Sequence, residues 1–330
     1  MAELAADYAL FVAQLITVLG LLIVAAALLV GISRRGAYPD GLEVRHLNRQ
    51  LEEQADVLRR AVHGKDRFKK LLKGRAKARK NEKKERADGE ERPRIFVIDF
   101  KGDLRASAAE SLRHEVSAVL AVANERDLVL VRLENAGGTV HDHGFAASQL
   151  MRIKKQRIPL YVAVDKVAAS GGYLMACVAD KIIAAPFAII GSIGVLAQLP
   201  NFHRLLESKG IDFEQISAGR YKRTVTMFGK NTDEGREKLK EELVEVHELF
   251  KRQIVEHRPD IDIEEVATGE HWYGAKALEL KLVDEIASSD DWLLAAARER
   301  EVFKVTYKRR RKFSERMLGG VESFFFPVER

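Results

Sequence analysis

Among 330 residues there is a single cysteine, Cys177, so no disulfide can form within the chain. Cys177 sits in the apolar run LMACVA, the setting of a small buried thiol rather than of a nucleophile. Charge is missing altogether from Tyr8 to Ser33. The uncharged stretch 9–32 is long enough to cross a bilayer as a helix, which takes about 20 residues. A cleaved signal peptide would need a basic n-region, which is lacking, and a shorter apolar run. The expectation is a retained transmembrane anchor over 1–33. Net charge is also absent from residues 93–330, where 36 Lys and Arg face 36 Asp and Glu. The basic excess belongs to 34–92, with 19 basic and 11 acidic residues.

That segment reads as a charged helical linker, too poor in apolar residues beyond position 73 to build a core. Its charges face water or anionic lipid headgroups. Arg34, Arg35, Arg45 and Arg49 follow the apolar span, and the positive-inside rule places such a flank in the cytoplasm.

From Pro93 the pattern changes. IFVIDF (95–100), DLVLVRLE (127–134), PLYVAVD (159–165) and KIIAAP (181–186) read as buried strands. Helical patterns alternate with them, which predicts an α/β fold of parallel βαβ units. The uncharged stretch 182–202 is no second span, because Pro186, Gly191, Gly194 and Pro200 interrupt it. A long amphipathic helix is predicted over 232–257 and a shorter one over 275–282. The expected globular domain is 93–300. Residues 301–330, basic and ending in Phe324, Phe325 and Phe326, read as a tail suited to a lipid surface or a subunit contact.

Three Gly-centred turns follow strands: ENAGG (134–138), AASGGY (168–173) and IIGSIGV (189–195). In a parallel sheet such turns gather on one edge, where ligands bind. Ser170 stands at a helix start beside two glycines, either as an N-cap or as a nucleophile approachable by substrate backbone. Gly137 and Gly138 could present amide N–H groups to an oxyanion. A serine needs a base. Lysine's ordinary pKa of about 10.4 must fall by about 3.4, or roughly 4.6 kcal/mol, before half of it is neutral at pH 7. Only a lysine removed from water meets that demand. Lys222, among Tyr221, Val225, Met227 and Phe228, is one candidate. His141 and His143, flanking Asp142, are the rival bases, or a metal-binding pair lacking a third ligand at useful spacing.

Taken in order, RLENAGG, HGFAASQL, AASGGYLMACVADKIIAAP, IIGSIGV, SAGRYKRT and ATGEHWYGAKALELKLVDEI resemble the signal-peptide peptidase A family, and most closely its SohB-type branch. The resemblance covers about residues 93–290 and extends to the N-terminal anchor. It implies a spiral fold like that of ClpP and the crotonases. It implies Ser170 as nucleophile, Lys222 as base, Ser192 as the residue orienting the lysine amine, and Gly137 with Gly171 as oxyanion-hole amides. It further implies peptide or protein substrates, a homo-oligomeric ring in which the lysine can come from a neighbouring subunit, and a bacterial inner-membrane location. Neither metal nor cofactor is required, and no nucleic-acid partner is expected. The family turn usually carries Pro before the two glycines; Ala136 stands there instead, so the turn loses a preset φ. A catalytically idle scaffold of the same fold, or an acyl-CoA enzyme of the crotonase kind, are the competing readings.

Overall fold

The computed structural model describes residues 14–15, 17–21, 41–85 and 92–308, with side chains omitted for 78–85. The chain divides into two units, Met1–Leu42 with Tyr307–Arg330 and Glu43–Thr306; the second holds the core and the site. Among the described residues no helix is long and apolar enough to cross a membrane. The expected span over 9–32 lies almost wholly outside the described residues, as do Phe324, Phe325 and Phe326.

The elements run β1 (Gly41–His46), α1 (Leu47–Glu85), β2 (Arg94–Lys101), α2 (Ala109–Leu120), β3 (Leu128–Glu134), α3 (Val140–Lys155), β4 (Leu160–Val164), β5 (Val167–Ala169) and α4 (Gly171–Ala176). They continue with β6 (Lys181–Ala184), β7 (Ile189–Gly191), α5 (His203–Ser208), α6 (Asp233–His257), α7 (Ile263–Val266), β8 (His271–Tyr273), α8 (Gly274–Glu279), β9 (Glu285–Ile286), α9 (Ser289–Ala296) and β10 (Glu301–Lys308).

Seven strands form one sheet in the order β1-β10-β2-β3-β4-β6-β9. Its pairings from β10 to β9 are all parallel. The strands read as continuous apolar runs because both faces are covered. Phe96, Ile98 and Phe100 of β2 point into one core, with Leu112, Val116, Leu150 and Met175 from the helices. Ile95 and Val97 point the other way, into a second core with Leu293 and Val302. A smaller sheet, β5-β7-β8, pairs β5 with β7 in parallel and β7 with β8 antiparallel. The α/β reading therefore holds, with a mixed second sheet hidden in the sequence because each of its strands is only three residues long.

Two expected boundaries move. Residues 301–308 are not tail but strand β10, registered on β2 from Glu301↔Arg94 to Val305↔Ile98. Its alternation of buried Val302 and Val305 with charged neighbours masked it. Nor is 34–92 a linker throughout, because β1 joins the sheet edge. Asn48 then binds the body, donating to the carbonyls of Ala297 and Arg300 and accepting from Val302 N–H. Helix α1 breaks at Gly64, whose φ of 70° and ψ of 169° are non-helical. Arg75 reaches back to Asp56 and Glu52, so the two halves form a hairpin.

An ion pair between buried Arg258 and partly exposed Asp284 ties the end of α6 to the sheet. Arg258 donates two 2.7 Å bonds to the Asp284 carboxylate, which also accepts from Ile182 N–H. Burial pushes the Asp284 carboxyl up, but Arg258 and the Ile182 N–H outweigh it and hold it below the usual range. Arg258→Met should cost about 1 kcal/mol, because Asp284 is partly exposed and water takes over part of the lost contact, and lower Tm by about 2–4 °C. A depressed folded-state pKa contributes stability above the unfolded value, lost as pH falls through the folded one. The gap in Tm between wild type and variant should thus be widest near neutrality and close below about pH 4. Equal Tm values at pH 7 would contradict this.

Candidate active site

The ends of β3, β5 and β7 bring the three Gly-centred turns together. Asn135, just past β3, bridges to Ala168 of β5. Ala169 pairs with Gly191, so Ser170 and Ser192 occupy equivalent positions beyond two adjacent parallel strands. Both leave the strand with positive φ, 50° and 51°, which is costly for a non-glycine residue. Their backbones are held there: Ser170 N–H donates to Gly191 O at 2.7 Å, and Ser192 N–H to Glu270 O at 2.6 Å.

Ser170 is half-buried and occupies the N-cap position of α4, yet its side chain makes no capping bond. Among the described residues its hydroxyl has no hydrogen-bond partner. A serine in this position normally caps the helix; this one is strained and uncommitted. The neighbouring glycines are sterically required. A Cβ on Gly137, at φ 95°, would lie 2.8 Å from Ser170 Cβ, and one on Gly171 would lie 2.5 Å from His143 Cγ.

Gly137, expected as an oxyanion donor, gives its N–H to Asn135 Oδ1 at 2.9 Å. The N–H groups of Gly138 and Gly171 have no acceptor among the described residues. Of the turn's two glycine amides, Gly138 thus offers the unengaged one. Sequence reading passed over Asn135, although an Asn two residues before a glycine amide is a familiar turn former.

The histidines are not placed to serve as base. His143 is fully buried, with Nδ1 2.9 Å from Thr139 O and Nε2 3.2 Å from Asn135 Oδ1, so its two nitrogens face oxygen acceptors inside the fold. His141 is exposed and pairs with Asp142. Among the described residues no group of three or more His, Cys, Asp or Glu could hold a metal ion. Cys177 is fully buried, and burial pushes its thiol up to about 12, as expected of an inert thiol.

Lys222 lies in the irregular stretch between α5 and α6 and is exposed; its N–H donates to Gly219 O. No bond joins its amine to Ser170 or Ser192 within the single chain. The same stretch exposes Ile211, Phe213, Ile216, Tyr221 and Phe228.

A groove of about 260 Å3 opens beside the serine, lined by Ser170, Gly138 and Gly171 and by apolar Met151, Leu174 and Phe250. Its α6 wall could not be assigned to the site from sequence, because a helical stripe reads only as core. The arrangement brings together an unpartnered serine hydroxyl, two unengaged glycine amides and an apolar groove.

Comparison with known proteins agrees with that inventory. Residues 152–303 match the model of peptidase family S49, and 3–150 match that of its N-terminal region. The chain is 45% identical over 316 residues to a probable protease SohB of Haemophilus influenzae, covering 93% of this chain and 90% of that protein. It is 55% identical over 228 residues to a probable protease SohB of Buchnera aphidicola, covering 69% and 68%. A putative signal peptide peptidase SppA of Enterococcus faecium is 30% identical over 181 residues, covering 54% and 52%. Among solved structures, a membrane-bound stomatin-specific protease with a substrate peptide aligns at 12% identity and TM-score 0.44, over 70% of this chain and 99% of that one. On the family matches and the near full-length SohB relative, this chain belongs to peptidase family S49, a family of proteases.

Proposed function

We propose that the chain is a serine endopeptidase in which Ser170 is the nucleophile and Lys222 its general base. The observation that carries this reading is the Ser170 hydroxyl: unpartnered, on a strained backbone, between two unengaged glycine amides and above an apolar groove. Neutral Lys222 takes the hydroxyl proton as Ser170 attacks the peptide carbonyl. The amides of Gly138 and Gly171 hold the oxyanion. Lys222 passes the proton to the leaving amine, and water releases the acyl group from Ser170. Ser192, beside Ser170 in register, orients the lysine amine. The groove suits an apolar side chain, consistent with peptides or membrane-protein fragments as substrates.

Lys222 is exposed in one chain, whereas a neutral lysine needs burial. The exposed apolar residues around it support an assembly in which a second copy covers this stretch. A homo-oligomeric ring of spiral, ClpP-like subunits, anchored in the bacterial inner membrane by 1–33, is the reading we favour.

A fluorophosphonate probe tests the chemistry. Wild type should be labelled, and Ser170→Ala should not. Folded wild type that resists labelling would favour the idle scaffold instead.

A further inference from the structure

We infer that Asn135 and His143 are positioning residues, a buried pair that fixes the turn 136–138 beside Ser170. The inference rests on the serine-peptidase reading above. The turn is Ala136-Gly137-Gly138, with no residue of restricted φ and two glycines that lose the most freedom on ordering. It nonetheless packs tightly, since a Cβ on Gly137 would fall 2.8 Å from Ser170 Cβ and 3.0 Å from Gly171 N. A loose turn held this close to a nucleophile needs restraint from outside.

Asn135 and His143 supply it. Asn135 is 1% exposed, and its Oδ1 accepts the Gly137 N–H in the middle of the turn. Because Oδ1 is the acceptor there, the His143 Nε2 at 3.2 Å bonds to it only by donating. The Asn135 amide nitrogen faces Met175 Sδ. His143 Nδ1 lies 2.9 Å from the carbonyl of Thr139, at the far end of the turn. The turn is therefore held through Asn135 at Gly137, with the His143 ring bonded to Asn135 Oδ1 and packed beside the Thr139 carbonyl. The same imidazole underlies Gly171, where a Cβ would meet its Cγ at 2.5 Å. One ring thus supports both segments bearing the unengaged amides, Gly138 and Gly171.

Engaging Gly137 N–H settles which amide of the turn remains available. Without the Asn135 side chain, Gly137 N–H is released and the turn samples other conformations. Misplacing an oxyanion donor by about 1 Å can cost on the order of 100-fold in rate. Substrate binding in the apolar groove is left alone, so the loss should fall on kcat.

The full-length protein, assayed in detergent with a fluorogenic peptide carrying apolar side chains, provides the test. Asn135→Ala should lower kcat by 10- to 100-fold with KM within twofold of wild type. Adding Ala136→Pro should recover at least fivefold of that loss, because proline fixes φ and Ala136 N–H has no acceptor among the described residues. A merely structural role would not be rescued in kcat by stiffening the turn. Should Asn135→Ala not fold, His143→Phe keeps a planar ring, removes the Nε2–H bond to Asn135 Oδ1, and should show the same split between kcat and KM. A folded variant with kcat within threefold of wild type, a rise in KM matching the loss in kcat, or no rescue by Ala136→Pro would overturn the inference. Fluorophosphonate labelling of wild type separates the two failures. Unlabelled wild type overturns the peptidase reading and this inference together, while labelled wild type with any of those results overturns the inference alone.

Discussion

Lys222→Ala and Ser170→Ala proteins should each lose at least 1000-fold in peptidase activity, and assemblies containing both kinds of subunit should recover activity that neither has alone. The size of the loss follows from the reaction. A serine hydroxyl is a weak nucleophile without a base, and members of one proton-transfer unit fail together. Recovery in mixed assemblies follows from where Lys222 lies. In the single chain its side chain is in water, on a stretch without regular structure. Ionisation in water leaves a neutral fraction too small to serve, and only desolvation raises it. The large apolar side chains of the same stretch, with Ile216 95% exposed, are costly to leave uncovered. One event, docking of a neighbouring subunit, would bury them and dehydrate the amine. Co-expressing differently tagged variants and purifying through both tags gives the mixed assembly. Activity in that fraction would place the base on the neighbour. An inactive mixture beside an active wild type would return Lys222 to its own chain, and a Lys222→Ala protein above a tenth of wild-type activity would remove it from the mechanism.

Two glycine-to-alanine changes in neighbouring helices should move stability in opposite directions. Gly172→Ala in α4 puts a Cβ 2.1 Å from the carbonyl oxygen of Asn135. Backbone on both sides prevents an easy adjustment, so the helix start must shift, and Ser170 with it. Overpacking a rigid site costs about 3 kcal/mol, or about 6–12 °C in Tm for a body of this size. Activity should fall further than stability, since the helix start carries the Gly171 amide. Gly144→Ala in α3 meets nothing within 4 Å. It should gain about 0.5–1 kcal/mol from a smaller loss of backbone entropy and better helix propensity. Thermal unfolding of the two proteins compares them directly. A Gly172→Ala protein as stable as wild type would show that the Asn135–α4 contact is not rigid.

Much of the site was legible because its parts are short and their backbone demands are chemical. Ser170, Ser192 and the glycines lie in turns after strands whose apolar runs announce themselves, and those turns did meet at one edge. The long helix α6 was equally readable from its stripe. What escaped notice were interactions between distant or ambiguous residues. Strand β10 looked like part of a charged tail because Glu301, Lys304 and Lys308 break up its apolar residues. Asn135, passed over in the sequence, turned out to engage the amide assigned to the oxyanion. His143 stood as a candidate base, yet burial and two acceptors remove it from that role.

The amino-acid sequence by itself determined the four buried strands β2, β3, β4 and β6, the helices alternating with them, and the residue types in the three turns, because periodicity and φ restrictions are local properties. Only the tertiary structure decided which glycine amide is left unengaged, that the Ser170 hydroxyl caps nothing, and that Lys222 is in water within one chain. Those are matters of distance and burial, which depend on how residues far apart in the chain pack against one another.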